Sequence, residues 1–296
     1  SLALSLNYGI ACIAIPLFFM VSGFLLTDKN ITFLYSKRKI LGILKFVFTI
    51  ITFWIVLINL YDYIRLGYNP APHFHLGSYF DWIFQGGDMW QYWYFASMIF
   101  IYLLSPILCK LIHSKYLKYI LICTIIISFV FFIIDCHNQF EKFYIKQTFR
   151  IWYWIMYFLL GGYMRINQNR FKRITWPIAL LVCLIYTIFQ YLGPQIGNEF
   201  YFGSILCMFY AICVFSACLK TNITVKNKYI PVLSSLFLPV YTTHPILYGC
   251  FTHLIQSLSI EANFLYIVTL ILFVSLIILA NWLLMKIPYM NKVFKI

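Results

Sequence analysis

The chain is poor in charge. Only 10% of its 296 residues are Asp, Glu, Lys or Arg, and only eight are acids. A soluble domain carries about a quarter charged residues, so a soluble fold is excluded. No Gly/Pro/Ser-rich or charged linker, internal repeat or low-complexity segment interrupts the chain, and residues 1–296 read as a single domain. There is no CxxC pair, GxSxG elbow, Walker loop or HExxH helix, and no pair of acids inside an apolar run. Zinc and thiol-redox sites, the hydrolase nucleophile elbow and the phosphate loop are thereby set aside. The nine cysteines are scattered, mostly within apolar runs, where a thiol behaves as a small hydrophobe. Cys136 and Cys250 alone fall near the outer ends of spans, which leaves a disulfide between them open.

Apolar residues are abundant: 63% are hydrophobic, 21% are aromatic, and the mean hydropathy is +0.85. A helix crosses the bilayer core with about 20 apolar residues. Nine stretches qualify, near 8–27, 40–61, 90–109, 117–135, 150–165, 174–192, 201–219, 232–252 and 263–285. The expected fold is an all-α, polytopic membrane helix bundle.

The net charge of +14 would suggest nucleic acid in a soluble protein, but its distribution points elsewhere. The loops after the first, third, fifth and seventh spans and the C-terminal tail hold 17 of the 22 cations, whereas the alternate loops hold seven of the eight acids. That alternation is the positive-inside pattern, and it predicts a plasma-membrane protein with a cytoplasmic C-terminus and Ser1 outside. No basic leader or initiator Met precedes Ser1, so a further helix is expected upstream, giving ten spans in the intact protein.

Few polar groups lie at membrane depth. Lys45 sits one to two turns inside the second span and can snorkel to the interface. His244 lies twelve residues beyond Val232, about 18 Å along its helix, too deep for that escape. Pro239 and Pro245 flank it, and Thr242 and Thr243 are expected to satisfy the carbonyls that the prolines release. The histidine is either a site residue or a hydrogen bond between helices. The run Lys37, Arg38, Lys39 is either a topology signal or an anion site in which Arg38 offers bidentate geometry. Trp93 and Tyr94 belong to an interfacial aromatic belt or to a surface on which sugar rings stack. His73 and His75 in the long outer loop 61–89 lack a third ligand at a defined spacing, so no metal is expected.

Several motifs resemble, in order, those of the acyltransferase 3 family of membrane O-acyltransferases. They are FFMVSGFLL at 18–26 with the following Lys37–Lys39, YWYFASMIFIYLLSPIL at 92–108, FLLGGYMR at 158–165 and VYTTHPIL at 240–247. The resemblance implies a ten-helix bundle that carries an acyl group, usually acetyl, from cytoplasmic acyl-CoA to a hydroxyl of a glycan or lipid-linked saccharide at the outer face. It implies CoA phosphates at Lys37, Arg38 and Lys39, close helix packing at Ser22 and Gly23, acceptor contacts at Trp93 and Tyr94, and His244 in the cavity, orienting the acceptor. It implies no metal. The family's arginine and essential histidine of the first helix have no counterpart here, since that helix would precede Ser1. A secondary transporter or lipid-linked sugar exporter would also place a broken helix at the midplane, and a polysaccharide polymerase would call for a larger outer loop.

Overall fold

The computed structural model describes residues 12–66, 76–87, 89–138, 145–193, 198–221, 234–244 and 262–294. Among them every regular element is helical. In chain order these are α1 (Ala14–Leu26), α2 (Phe33–Leu66), α3 (Leu76–Ile83), α4 (Trp93–Ile112), α5 (Leu117–Asn138), α6 (Ile151–Ile166), α7 (Gln168–Phe171), α8 (Trp176–Leu192), α9 (Ile205–Lys220), α10 (234–244), α11 (Ala262–Leu284) and α12 (Pro288–Val293). Short 3-10 turns at Trp90–Tyr92, Gln147–Phe149 and Asn198–Gly203 lead into α4, α6 and α9. Three helical stretches, Phe33–Leu60, Trp90–Ile112 and Leu117–His137, are long and apolar enough to cross a membrane, and shorter apolar helices accompany them. The chain is a multi-pass membrane protein.

The expected spans coincide with helices wherever they are described, with one difference. The second, expected at 40–61, is a 34-residue helix, about 51 Å long. Nothing between Phe33 and Lys39 breaks a helix, so α2 runs on past the apolar stretch and carries its cations beyond the roughly 30 Å hydrocarbon core.

The chain divides into two compact units. The first comprises residues 1–40, 83–85 and 93–222; the second comprises 41–82, 86–92 and 223–296.

In the first unit α6 is central, packing on α1, α4 and α5. Its residues from Met156 to Gly162 are all buried. With lipid as solvent, helices associate through packing and small residues rather than water exclusion. The contact between α1 and α6 is of this kind and is reciprocal. A methyl group on Gly23 would overlap the Phe158 carbonyl, and one on Gly161 would overlap the carbonyl of Met20. Trp154 of α6 stacks between Phe19 at 4.7 Å and Trp93 at 5.2 Å.

Contacts at the helix ends sort them into two sides of this unit. On one side Arg165 donates from Nε to Asp28 Oδ2 at 2.6 Å, His113 Nε2 bonds the Thr27 carbonyl at 2.9 Å, Ser36 Oγ meets Ser105 Oγ at 3.1 Å, and Trp176 Nε1 donates to Thr221 Oγ1 at 3.1 Å. These are the ends that the charge pattern assigns to one face. On the other side Arg150, at the start of α6, grips Asp135 in the last turn of α5. Both guanidinium nitrogens face the two carboxylate oxygens, Nη2 to Oδ1 at 3.0 Å, and Nε donates to the Ile145 carbonyl at 2.8 Å. The side chains are 1% and 6% exposed.

Candidate functional site

His244 closes the described part of α10 and is half-buried. Its Nδ1 faces two backbone carbonyls, Tyr241 O at 2.9 Å and Val240 O at 3.2 Å. Carbonyl oxygens only accept, so Nδ1 carries the proton in the neutral ring and Nε2 holds the lone pair. The local sequence explains the arrangement. Pro245 has no N–H with which to bond the carbonyl four residues back, that of Tyr241, and the imidazole takes the vacated role. The threonines do something else: Thr242 Oγ1 bonds Leu238 O and Pro239 O at 3.1 and 2.9 Å, and Thr243 Oγ1 bonds Pro239 O at 2.9 Å. The expectation that Thr242 and Thr243 would pair the carbonyls freed by Pro239 and Pro245 is therefore corrected at Tyr241, whose carbonyl is met by the histidine and by neither threonine hydroxyl.

Polar groups from other elements of the second unit hold α10 in place. Asn281, a fully buried amide in apolar α11, donates from Nδ2 to Thr243 Oγ1 at 2.7 Å and to Ile277 O at 2.9 Å. Tyr241 Oη donates to Gln91 O at 2.5 Å, and Tyr92 Oη donates to Thr242 O at 3.3 Å. The contact with the Ile277 carbonyl assigns Nδ2, so the other amide atom of Asn281 is an oxygen. That Oδ1 and Gln91 Oε1 are buried with no hydrogen-bond partner among the described residues. A buried acceptor without a donor costs about 1–3 kcal/mol, so both oxygens mark places where a donor would bind well.

Lys37, Arg38 and Lys39 belong to the first unit. Ser36 is buried against Ser105, so α2 is pinned one residue before the cluster, and Lys37 and Arg38 are exposed. Lys110, Arg170, Lys172 and Arg173, in segments that the charge pattern places on the same side, are exposed too. Asp28 is the one acid there, and Arg165 occupies it.

The remaining sequence candidates fall as follows. Gly23 makes the close contact with α6, whereas the Ser22 hydroxyl turns back to the Phe18 carbonyl at 2.9 Å. Trp93 is 3% exposed, covered by Trp154 and Phe202, and presents no face for a sugar to stack on; the exposed indole of that segment is Trp90. Tyr94 packs against Phe18 and Phe19. Trp93 fails as a stacking residue because α6 supplies an aromatic partner that the linear sequence does not show. His73, His75, Pro245 and Cys250 lie outside the described residues, and so does the pairing of Cys136 with Cys250. Among the described residues no group of three or more His, Cys, Asp or Glu could hold a metal ion.

Sequence reasoning passed over Gln91, Tyr92 and Asn281. Asn281 had a legible signal, a lone amide near the end of a long apolar run. Gln91 and Tyr92 had none, since they sit in what reads as an interfacial belt.

A family model described as an acyltransferase domain matches residues 1–286. The chain belongs to the acyltransferase 3 family. As an acyltransferase 3 protein it is a membrane acyltransferase, and the match extends over nearly the whole chain, both units included. No curated protein and no solved structure matches the chain.

Proposed function

We propose that this acyltransferase 3 protein moves an acyl group, acetyl in the simplest case, from cytoplasmic acyl-CoA to a hydroxyl of a glycan or lipid-linked saccharide at the outer face of the plasma membrane, with its C-terminus in the cytoplasm. The observation that carries the reading is the character of the polar network around α10. His244 Nε2, Asn281 Oδ1 and Gln91 Oε1 are all hydrogen-bond acceptors, and a polyhydroxyl acceptor offers donors to each of them. A transported cation would want more oxygens and carboxylates, and among the described residues none of the latter touches this network.

In this reading Lys37, Arg38 and Lys39 neutralise the phosphates of acyl-CoA, with the Arg38 fork matching phosphate oxygens. His244 Nε2 accepts a hydrogen bond from the acceptor hydroxyl and orients its oxygen toward the thioester carbonyl. The new C–O bond forms as the C–S bond breaks; the hydroxyl proton passes to a base and the thiolate of CoA is the leaving group. The ring holds its orientation because Nδ1 is committed to the backbone, so no side-chain freedom is lost when the acceptor arrives.

The test is transfer of radiolabel from [acetyl]-CoA to membrane glycan in cells making the protein, its His244→Ala variant or its Arg38→Ala variant. Label in glycan that depends on both residues supports the reading. Label-free glycan with the unaltered protein would sink it.

A further inference from the structure

Two short helices return along α2 within the second unit. From the N-terminal side of that unit, α3 brings Tyr79 back to Thr52, with Oη and Oγ1 2.8 Å apart, and sets the tyrosine ring 5.3 Å from Phe48. Thr52 precedes the end of α2 at Leu66 by fourteen residues, about 21 Å. From the C-terminus, α12 sets Met290 in the core, and the residue after it, Phe294, lies 5.4 Å from Phe46. Between α2 and α12 lies a cavity of about 400 Å³ lined by Phe48, Thr49, Thr52, Phe53, Tyr289 and Met290. Its rim is apolar and open, with Phe48 49% and Tyr289 61% exposed. Its two threonine hydroxyls already donate to their own helix, Thr49 Oγ1 to Lys45 O and Thr52 Oγ1 to Phe48 O, both at 2.8 Å. The lining is therefore mainly carbon surface, from Phe48, Phe53, Met290 and the ring of Tyr289.

The charged residues that α2 and the C-terminal segment bring beside it are all basic. Lys45 lies one turn before Thr49 on the same helix face and is exposed, and Lys292 lies one turn after Tyr289 and is exposed. Lys286 sits over the Trp282 ring at 4.6 Å. Neither 33–60 nor 262–296 contains an acid. From Lys45 to Thr52 is about 10 Å along the helix, the layout of a polar headgroup followed by a chain.

We propose that this cavity is a binding site for an anionic phospholipid, with one acyl chain laid between α2 and α12 and the phosphate drawn to Lys45 and Lys292. A basic residue near a bilayer surface favours an anionic lipid by about fivefold. The aromatic and methionine lining suits a chain of variable shape.

The experiment uses the full chain reconstituted in phosphatidylcholine bilayers doped with a photoactivatable phosphatidylglycerol carrying a diazirine on its acyl chain, or with the matching phosphatidylcholine probe. The expected result is labelling of peptides containing 48–53 and 289–290, stronger for the anionic probe. Lys45→Gln and Lys292→Gln should each lower anionic labelling about fivefold and leave the zwitterionic probe unchanged. Both substitutions are at exposed side chains, and an unaltered melting temperature will show that each variant is folded. Tyr289→Ala should reduce labelling by both probes. Equal labelling by the two lipids, insensitivity to both lysine substitutions, or labelling confined to other peptides would overturn the proposal.

Discussion

Removing the carboxylate of Asp135 tests whether the Asp135–Arg150 pair holds the first unit together. In Asp135→Leu the Arg150 guanidinium keeps the Ile145 carbonyl as an acceptor but loses both carboxylate oxygens, at a site 1% exposed. Breaking a buried pair from one side costs about 3–5 kcal/mol, because the surviving charge is left without compensation. Replacing both partners by apolar residues is often close to neutral. The double variant Asp135→Leu/Arg150→Leu should therefore recover most of the loss, with a coupling energy of about 3–5 kcal/mol. In a chain of this size that corresponds to a fall in Tm of roughly 6–20 °C for the single variant, largely restored in the double. Thermal unfolding of the four proteins of the cycle in one detergent, followed by loss of monodisperse protein, gives the numbers. Additive losses would refute the reasoning, since they would mean that each side chain acts through its own packing and not through the other's charge.

Other expectations follow from single contacts. Gly161→Ala should destabilise by about 1–3 kcal/mol, because its methyl meets the Met20 backbone. Gly162→Ala should cost less, because its methyl meets the movable end of Ile112; thermal melts that rank the two the other way would contradict the packing described. Arg38→Ala should raise the KM for acyl-CoA about tenfold with little change in kcat, as expected for loss of a charge-assisted contact; unchanged saturation kinetics would remove Arg38 from the donor site. Asn281→Leu should lower acyl transfer about fivefold, the worth of one hydrogen bond, while the KM for acyl-CoA stays put. Equal losses at every donor and acceptor concentration, together with a lowered Tm, would mark Asn281 as structural only.

Much of the fold is legible in the sequence because two independent signals agree. Apolar length gives the helices, and the alternation of Lys and Arg with Asp and Glu gives their sides; Arg165 beside Asp28 and Arg150 beside Asp135 then bring like-side ends together. What escapes is whatever depends on which helix neighbours which. Arg150 reads as one of a few outer cations, yet it is buried on α5's last turn. Trp93 reads as interfacial, yet Trp154 covers it. Leu76–Ile83 reads as part of a loop, because an eight-residue helix that folds back along α2 leaves no periodic trace long enough to register. At the candidate site the histidine and its prolines are conspicuous, since charge-capable groups and backbone breaks are rare at that depth. The proton's location on its ring is not, because it follows from a side chain standing in for a missing backbone donor.

The crossing of α1 and α6 constrains what can move. Each helix has a glycine seated on the other's backbone, and their ends are tied a second time by Arg165 to Asp28 and by the same guanidinium over the Phe24 ring. Two attachments separated along the axis resist both sliding and rotation. The pair should behave as a single strut throughout turnover, so that spin labels placed on α1 and α6 keep one separation with and without acyl donor while any rearrangement is taken up by other helices.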